Sequence, residues 1–499
     1  MFLPPEILRA IFLFARPYIH QHSPSVTLGP NNPWLLSLRT KKALTLVCKA
    51  WSAPATAVLY DDVVIRRTGQ IPPLTQTLVS SKRYNHADLV RSIRLDSCVV
   101  WKTCEDTMHK DLCEIMRRCT RLTSFSFHPH PEFPLVLNDQ DHTIENGFNP
   151  LWILDSRPGT AGDALCHQLA TGLRSLDLGF TVAEEFFDPL IALLQFGHHL
   201  TSLIFDRIEH TSGFQDAPQA LEFPQLEMLK VDVHREPFCR YVTHKWNMPR
   251  LASLILVDCL LVPIELLEAH GSRLTYLFFS SQYRDRYGVS LPPVHDVVLP
   301  RLAELCPCIE HLVIRVPQEA LSSIHLSSPT LRYLDITHDF LFDLRHYKLL
   351  AFAEDTHAPA LQLVRFTSSY GWFFPQMCDP SLLLDQKIDL RHMSDDELER
   401  LSLVDLTSQG IAHLVPGEIV RQTWWCVGLD PRTFLTHPLL EPWLDAVFEA
   451  DEDNDSSYVP DSDSDDGSSD AWSASSESWS GFGSDVWTEY ESDSESGPD

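Results

Sequence analysis

One pattern restricts what this chain can fold into. A triplet of apolar residues spaced i, i+3, i+5 recurs along most of its length. It reads Val90-Ile93-Leu95, Leu122-Phe125-Phe127, Leu173-Leu176-Leu178, Leu200-Leu203-Phe205 and Leu226-Leu229-Val231. It continues as Leu251-Leu254-Leu256, Leu274-Leu277-Phe279, Ile309-Leu312-Ile314, Leu331-Leu334-Ile336 and Leu361-Val364-Phe366, with a final candidate at Leu398-Leu401-Leu403. The last two residues of each triplet alternate as a strand does, so they bury one face of a short strand. From Leu173 to Leu274 the copies start 27, 26, 25 and 23 residues apart, whereas elsewhere the spacing is 30 to 51, with one return to 22.

A period of roughly 20–29 residues with this spacing is the signature of leucine-rich repeats. Leu251-Leu254-Leu256-Cys259-Leu261 fills the longer template, in which an Asn/Cys slot turns beneath the next coil, and Val90-Ile93-Leu95-Cys98-Val100 does so with conservative changes. Cys98 and Cys259 are therefore expected to be buried structural thiols, inert rather than nucleophilic. Helical patterns at Asp106–Arg118 and Glu184–Phe196 precede strands, which makes the class α/β. The expected architecture is a three-helix N-terminal domain (1–62), a leucine-rich-repeat-like β/α solenoid (63–448) and a disordered acidic C-terminal tail (449–499). A first coil is expected within Val63-Val64-Ile65, with a helix near Pro72 to Lys82, so no flexible linker separates the first two parts. His128 to Gly159 reads as a long loop or insertion. The competing architecture is a non-repetitive α/β domain with several buried strands.

The first sixty residues carry a second pattern. Proline and Glu6 suit the first turn of a helix, and Ile7, Leu8, Ile11 and Phe12 give it an apolar face. After a loop from His20 to Pro33, a second helix is expected from Trp34 to Trp51 with Leu44, Val47, Cys48 and Trp51 on one side. Pro54 then opens a third, ending near Tyr60. Three short helices bury little surface alone, so their leftover apolar faces invite a partner.

Leu3-Pro4-x-Glu6-Ile7-Leu8-x-x-Ile11-Phe12, Val47-Cys48-Lys49-x-Trp51 and Leu59-Tyr60 together resemble the F-box family. The loop from His20 to Pro33 is longer than is usual there. The resemblance implies a substrate-receptor subunit of an SCF-type (Skp–cullin–F-box) ubiquitin ligase. It implies docking on the Skp adaptor, and through it a cullin, by Leu3, Pro4, Ile7, Leu8, Ile11, Phe12, Val47, Cys48 and Trp51. The repeats would then capture an unknown protein substrate for ubiquitin-dependent degradation. The alternative is a non-catalytic scaffold that keeps an F-box but assembles no active ligase.

Charge and motifs narrow the field further. The chain of 499 residues has 39 Lys+Arg against 68 Asp+Glu, a net charge of −29. Seventeen acidic residues and no Lys or Arg lie between Glu449 and Asp499, leaving −12 for the rest. No basic cluster stands out along the sequence, so nucleic acid is not the expected partner. No apolar stretch is long enough to span a membrane, and Met1 to Ile19 lacks the basic start of a signal peptide. The 12 cysteines form no paired framework, which points to the cytoplasm or nucleus. No phosphate-binding, zinc-protease, nucleophile-elbow or dinucleotide motif occurs, so neither catalytic residues nor cofactors are expected, and an intrinsic hydrolase or transferase is disfavoured. His128, His130, His198 and His199 read as exposed loop histidines rather than metal ligands. The tail, dotted with Trp472, Trp479, Phe482, Trp487, Tyr458 and Tyr490, reads as a solubilising appendage. Ser462, Thr488 and Ser492 resemble casein-kinase-type acceptors.

Overall fold

The apolar triplets become the strands of one sheet. A computed structural model describes residues 3–14, 33–80, 85–96, 98, 105–128, 135–136, 145–146, 150–208, 220–232, 236–257, 263–279, 298–315, 326–338, 358–361, 363–368, 385–388, 411–414 and 420–423. The chain separates into two units, Met1–Leu440 and Glu441–Asp499, and all the described residues lie in the first. The expected tail, the last candidate triplet at Leu398 and the Cys259 slot lie outside the described residues.

Three helices come first: α1 (Pro5–Phe14), α2 (Pro33–Leu46) and α3 (Lys49–Tyr60). The strands then follow as β1 (Asp62–Ile65), β2 (Ser92–Asp96), β3 (Ser124–His128), β4 (Leu135–Val136), β5 (Glu145–Asn146) and β6 (Ser175–Leu178). Next come β7 (Ser202–Arg207), β8 (Leu221–Glu222), β9 (Met228–Asp232), β10 (Trp246–Asn247), β11 (Ser253–Val257) and β12 (Tyr276–Phe279). The series closes with β13 (His311–Arg315), β14 (Tyr333–His338), β15 (Leu363–Ser368), β16 (Asp385–Ile388), β17 (Ile411–Leu414) and β18 (Val420–Thr423).

Among the described residues the main sheet has 14 strands in the order β1-β2-β3-β6-β7-β9-β11-β12-β13-β14-β15-β17-β18-β16. Up to β15 every pairing is parallel and follows chain order. Beyond it β17, β18 and β16 pair antiparallel, in a stretch whose strands lack the triplet. The fold is thus mixed α/β around a parallel sheet.

The register is set by the triplets. Leu176 faces Leu203, which faces Leu229, and that column continues through Leu254, Leu277, Leu312 and Leu334. A slip of one residue would turn this buried column to the other face, so the pattern admits one register. The leading residue of each triplet lies two positions before its strand and is buried in every copy from Val90 to Leu361. Helices α4 (Ile71–Ser80), α5 (Glu105–Arg118), α6 (Leu151–Leu154), α7 (Ala161–Thr171), α8 (Glu184–Leu194), α9 (Glu236–Lys245), α10 (Ile264–His270) and α11 (Leu302–Leu305) occur along the connections. Their apolar pairs one turn apart, such as Leu112 with Met116 and Leu165 with Leu169, join the strand residues in a single core. Full burial of each such leucine is worth about 1.5–3 kcal/mol. Cys98 is buried in that core, as expected.

Two expectations need correction. The helix expected from Trp34 to Trp51 is two helices, because Cys48 is extended (φ −162°, ψ 165°) and turns the chain between them. Pro54 consequently lies inside α3 instead of opening it. Second, the segment from His128 to Gly159 is not simply a loop. His128 ends β3, β4 pairs with β5, and α6 sends Ile153 and Leu154 into the core. Thr160 then caps α7, its hydroxyl accepting a hydrogen bond from the Asp163 N–H at 3.0 Å, while Asp163 accepts from the Gly159 N–H at 3.0 Å. Gly159 sits at φ 94°, a conformation that favours glycine.

The close approach of neighbouring units yields a stability test. A Cβ on Gly271 would run into the Leu305 carbonyl, whereas one on Gly69 would meet nothing within 4 Å. Gly271→Ala should lower the urea midpoint by the equivalent of about 1–3 kcal/mol, as overpacking does, and Gly69→Ala should leave it nearly unchanged.

Candidate functional site

Helix α1 has more apolar surface than its own fold uses. Leu8 and Phe12, one turn apart, are buried with Ala55 and Val58 of α3, and half-buried Leu44 and Trp51 pack against them. The rings of Phe12 and Trp51 lie 5.1 Å apart. A second stripe, Ile7 and Ile11 on the same helix with Leu3 just before it, remains exposed, Leu3 46%, Ile7 49% and Ile11 48%. A helix that is apolar on both its inner and an outer stripe has an unmet burial requirement. The corner between α2 and α3 is similar, with Leu46 84% and Val47 58% exposed. Its backbone is held by the Cys48 carbonyl, which accepts from Trp51 and Ser52 N–H groups, each at 3.1 Å.

The nine residues expected to dock a partner therefore divide. Leu3, Pro4, Ile7, Ile11, Val47 and Cys48 face solvent, Trp51 is half-buried, and Leu8 and Phe12 build the platform from inside. Leu46 was not anticipated, although it directly precedes the Val-Cys-Lys motif. Leu36 is also exposed, at a point where the weakly amphipathic sequence of α2 gave no stripe to follow.

The helices join the sheet without a linker. Helix α3 ends at Tyr60 and β1 begins at Asp62, while the Tyr60 ring stacks on His86 at 4.7 Å. Arg9 reaches Asp61 at 3.4 Å, and Arg66 lies 6.0 Å over the buried Trp34 ring.

A polar network occupies the face of β1, β2, β3 and β6 opposite the core. Arg94 makes two hydrogen bonds to Asp62, at 3.2 and 2.6 Å, and Arg66 lies 3.7 Å from Asp96. His128 Nε2 meets Asp177 at 3.0 Å, and the Ser126 hydroxyl donates to the same oxygen at 3.4 Å. His128, expected as an exposed loop histidine, is thus a strand residue, part exposed and with a carboxylate partner, because the parallel register places β6 beside it. Burial pushes the Asp96 carboxyl above its ordinary value, against the opposing pull of His128, Arg66 and Arg94. For His128, desolvation disfavours the imidazolium, but the charge and hydrogen bond of Asp177, with Asp96 beside it, outweigh this and raise the pKa.

His198 and His199 are exposed on a turn, as expected; His130 lies outside the described residues. Among the described residues no group of three or more His, Cys, Asp or Glu is placed to hold a metal ion, and no helix is long and apolar enough to cross a membrane. An open cavity of about 570 Å³ is lined by Cys308, Glu310, Thr330, Arg332 and Leu361, and one of about 470 Å³ by Asp163, Cys166, His167 and Phe196. Burial pushes the Cys166 thiol up to about 11, and Cys119 and Cys306 up to about 12, so these sulfurs stay protonated at neutral pH. In comparisons with known proteins, no family model matches the chain, and no curated protein matches it.

Two outcomes follow from this geometry. Iodoacetamide should label the exposed Cys48 and Cys308 first in the native protein, and Cys119 and Cys306 only on unfolding, as residue-resolved mass spectrometry would read. The raised His128 pKa means that its pairing stabilises the fold fully below the ordinary histidine value of about 6.5, and that this contribution is lost as pH rises through the folded-state value. In Asp177→Asn the imidazole should titrate lower, which an NMR titration would detect, and the loss of stability across that window should shrink.

Proposed function

We propose that the chain is the substrate-receptor subunit of an SCF-type ubiquitin ligase, with α1 to α3 as its F-box and the triplet-bearing strands as a leucine-rich β/α solenoid. The observation that carries this reading is the second apolar stripe of α1. Leu8 and Phe12 already satisfy the helix's own core, so Leu3, Ile7 and Ile11 are free to bury against a Skp adaptor. Leu46 and Val47 at the α2–α3 corner extend the apolar surface offered. The F-box-like order of Leu3-Pro4, Ile7-Leu8, Ile11-Phe12 and Val47-Cys48-Lys49-x-Trp51 agrees with that division of labour.

In this reading the chain performs no bond chemistry. It holds a protein target near a ubiquitin-charged conjugating enzyme, which raises the effective concentration of the target's lysines. The direct passage from Tyr60 into β1, with Arg66 packed over Trp34, suits that task, since a hinge would dilute the effect.

Affinity capture of the full chain tests the proposal. Ile7→Asp with Ile11→Asp should reduce adaptor recovery at least about tenfold, a change of about 1.4 kcal/mol, while the melting temperature stays within a few degrees. Leu8→Ala should instead destabilise the helices by about 2–5 kcal/mol, because it opens a cavity. Full adaptor recovery in the double variant would refute the assignment, and adaptor recovery without cullin would favour the scaffold alternative.

A further inference from the structure

The parallel register gathers arginines that are far apart in sequence. Arg121, Arg250 and Arg273 each directly precede a triplet's leading residue, and Arg91 and Arg174 each directly follow one. In a parallel sheet these two slots fall at one edge, where the strands begin. Contacts within that row show the adjacency: Arg91 donates to the Arg121 carbonyl at 3.3 Å, Arg250 to the Gln225 side chain at 2.6 Å, and Arg273 to the Pro249 carbonyl.

Among the described residues none of these five arginines pairs with a carboxylate, although acids outnumber bases 68 to 39 in the chain. Several arginines elsewhere do find one: Arg9 with Asp61, Arg94 with Asp62, Arg118 with Glu114, Arg157 with Asp155 and Arg301 with Glu268. Arg121, Arg174, Arg250 and Arg273 are exposed and Arg91 is half-buried, so the guanidinium groups are open to a ligand. His198 and His199 lie on the turn leading into β7, between Arg174 and Arg250. Glu227 and Glu310 also occupy the row and break its positive charge.

We propose that this edge is a docking surface for an acidic segment of a partner protein, bound in extended form across the starts of the strands. Charge complementarity selects the occupant, since guanidinium groups bind carboxylates in paired hydrogen bonds and these keep donors beyond the single contacts within the row. The span supports a peptide: β2 to β12 is six strand spacings, about 29 Å at roughly 4.8 Å each, which about nine extended residues would cover. A nucleic acid fits less well, because its backbone carries a phosphate at every step and Glu227 interrupts the track, whereas a peptide can set neutral residues opposite Glu227. The acidic residues of the segment should cluster toward its ends, over Arg91, Arg121 and Arg174 at one and over Arg250 and Arg273 at the other. For its biological role this inference rests on the substrate-receptor reading, and it names the class of target such a receptor would take.

The test uses the full chain and a fluorescent peptide of about nine residues with Asp and Glu at both ends, followed by anisotropy. The acidic peptide should bind at low salt and weaken as salt is added, while its Asn/Gln counterpart should bind at least about tenfold more weakly. Arg121→Glu with Arg174→Glu should cost about tenfold or more, the double Gln variant less, and Lys110→Glu on exposed α5 under about twofold. Melting curves and adaptor capture run on the same variants. Equal binding of the two peptides, an unaffected charge-reversal variant, or tighter binding of a charge-matched single-stranded oligonucleotide would overturn the proposal. Loss of peptide binding by the edge variants with adaptor capture intact supports the edge as a separate site. Peptide binding by a chain that captures no adaptor would refute the receptor reading and leave the edge site standing.

Discussion

Every column in this molecule depends on one repeated hydrogen-bonding arrangement. In the main sheet, from β1 to β13, the carbonyl of the residue just before each strand accepts N–H groups from two consecutive residues of the next strand's start. Asp61 accepts from Arg91 and Ser92, Arg91 from Thr123 and Ser124, and Thr123 from Arg174 and Ser175. The series runs on through Arg174, Thr201, Glu227, Ala252 and Thr275 to Glu310, which accepts from Arg332 and Tyr333. Several rungs add a side chain, as where the hydroxyls of Thr123, Thr201 and Thr275 donate to the carbonyls of Arg91, Arg174 and Ala252. These bonds fix the offset between neighbours to the residue, whatever the length of the intervening connection. That is why spacings from 22 to 51 residues yield one continuous apolar column, from Ile93 and Phe125 into the leucines that follow.

The ladder also ties the two proposed docking regions together. Its first carbonyl belongs to Asp61, which ends α3 and takes Arg9 of α1 as a partner. The helices with the exposed stripe Leu3, Ile7 and Ile11 are therefore registered to the same ladder that orders Arg91, Arg121 and Arg174. A surface proposed for an adaptor and one proposed for a target then stand in a fixed relation, which a proximity mechanism requires.

Much of the sheet was legible because its determinants are local. A Leu-x-x-Leu-x-Leu triplet states which face of a strand is buried, and the ten copies from Val90 to Phe366 all became strands. What escaped reading depended on residues remote in sequence or on a single backbone torsion. Apolar spacing runs smoothly from Leu44 through Val47 to Trp51, so nothing in it signals that Cys48 is extended and breaks the helix. His128 looked like half of a loop pair, since its partner Asp177 lies 49 residues away and meets it only through the register of β3 and β6. The arginine edge was hidden likewise: no two of its members are near neighbours in sequence, and only stacking of the strands brings them into a row. The motif marked nine residues proposed to dock a partner, while the split between exposed Ile7 and buried Leu8 required the packing of α1 on α3.

The order of strand pairing has a consequence for how the polypeptide is made. From β1 to β15 each strand's preceding neighbour in the sheet has already been synthesised when it leaves the ribosome. Each can be added to a finished edge as it emerges, with only the connection just made to close and no wait for a partner still to be translated. The exception is the far end, where β16 pairs only with β18, so β16 must wait until the residues up to Thr423 have been translated. Vectorial assembly would thus run from the N-terminal helices outward, with the antiparallel strands as its last, non-sequential step.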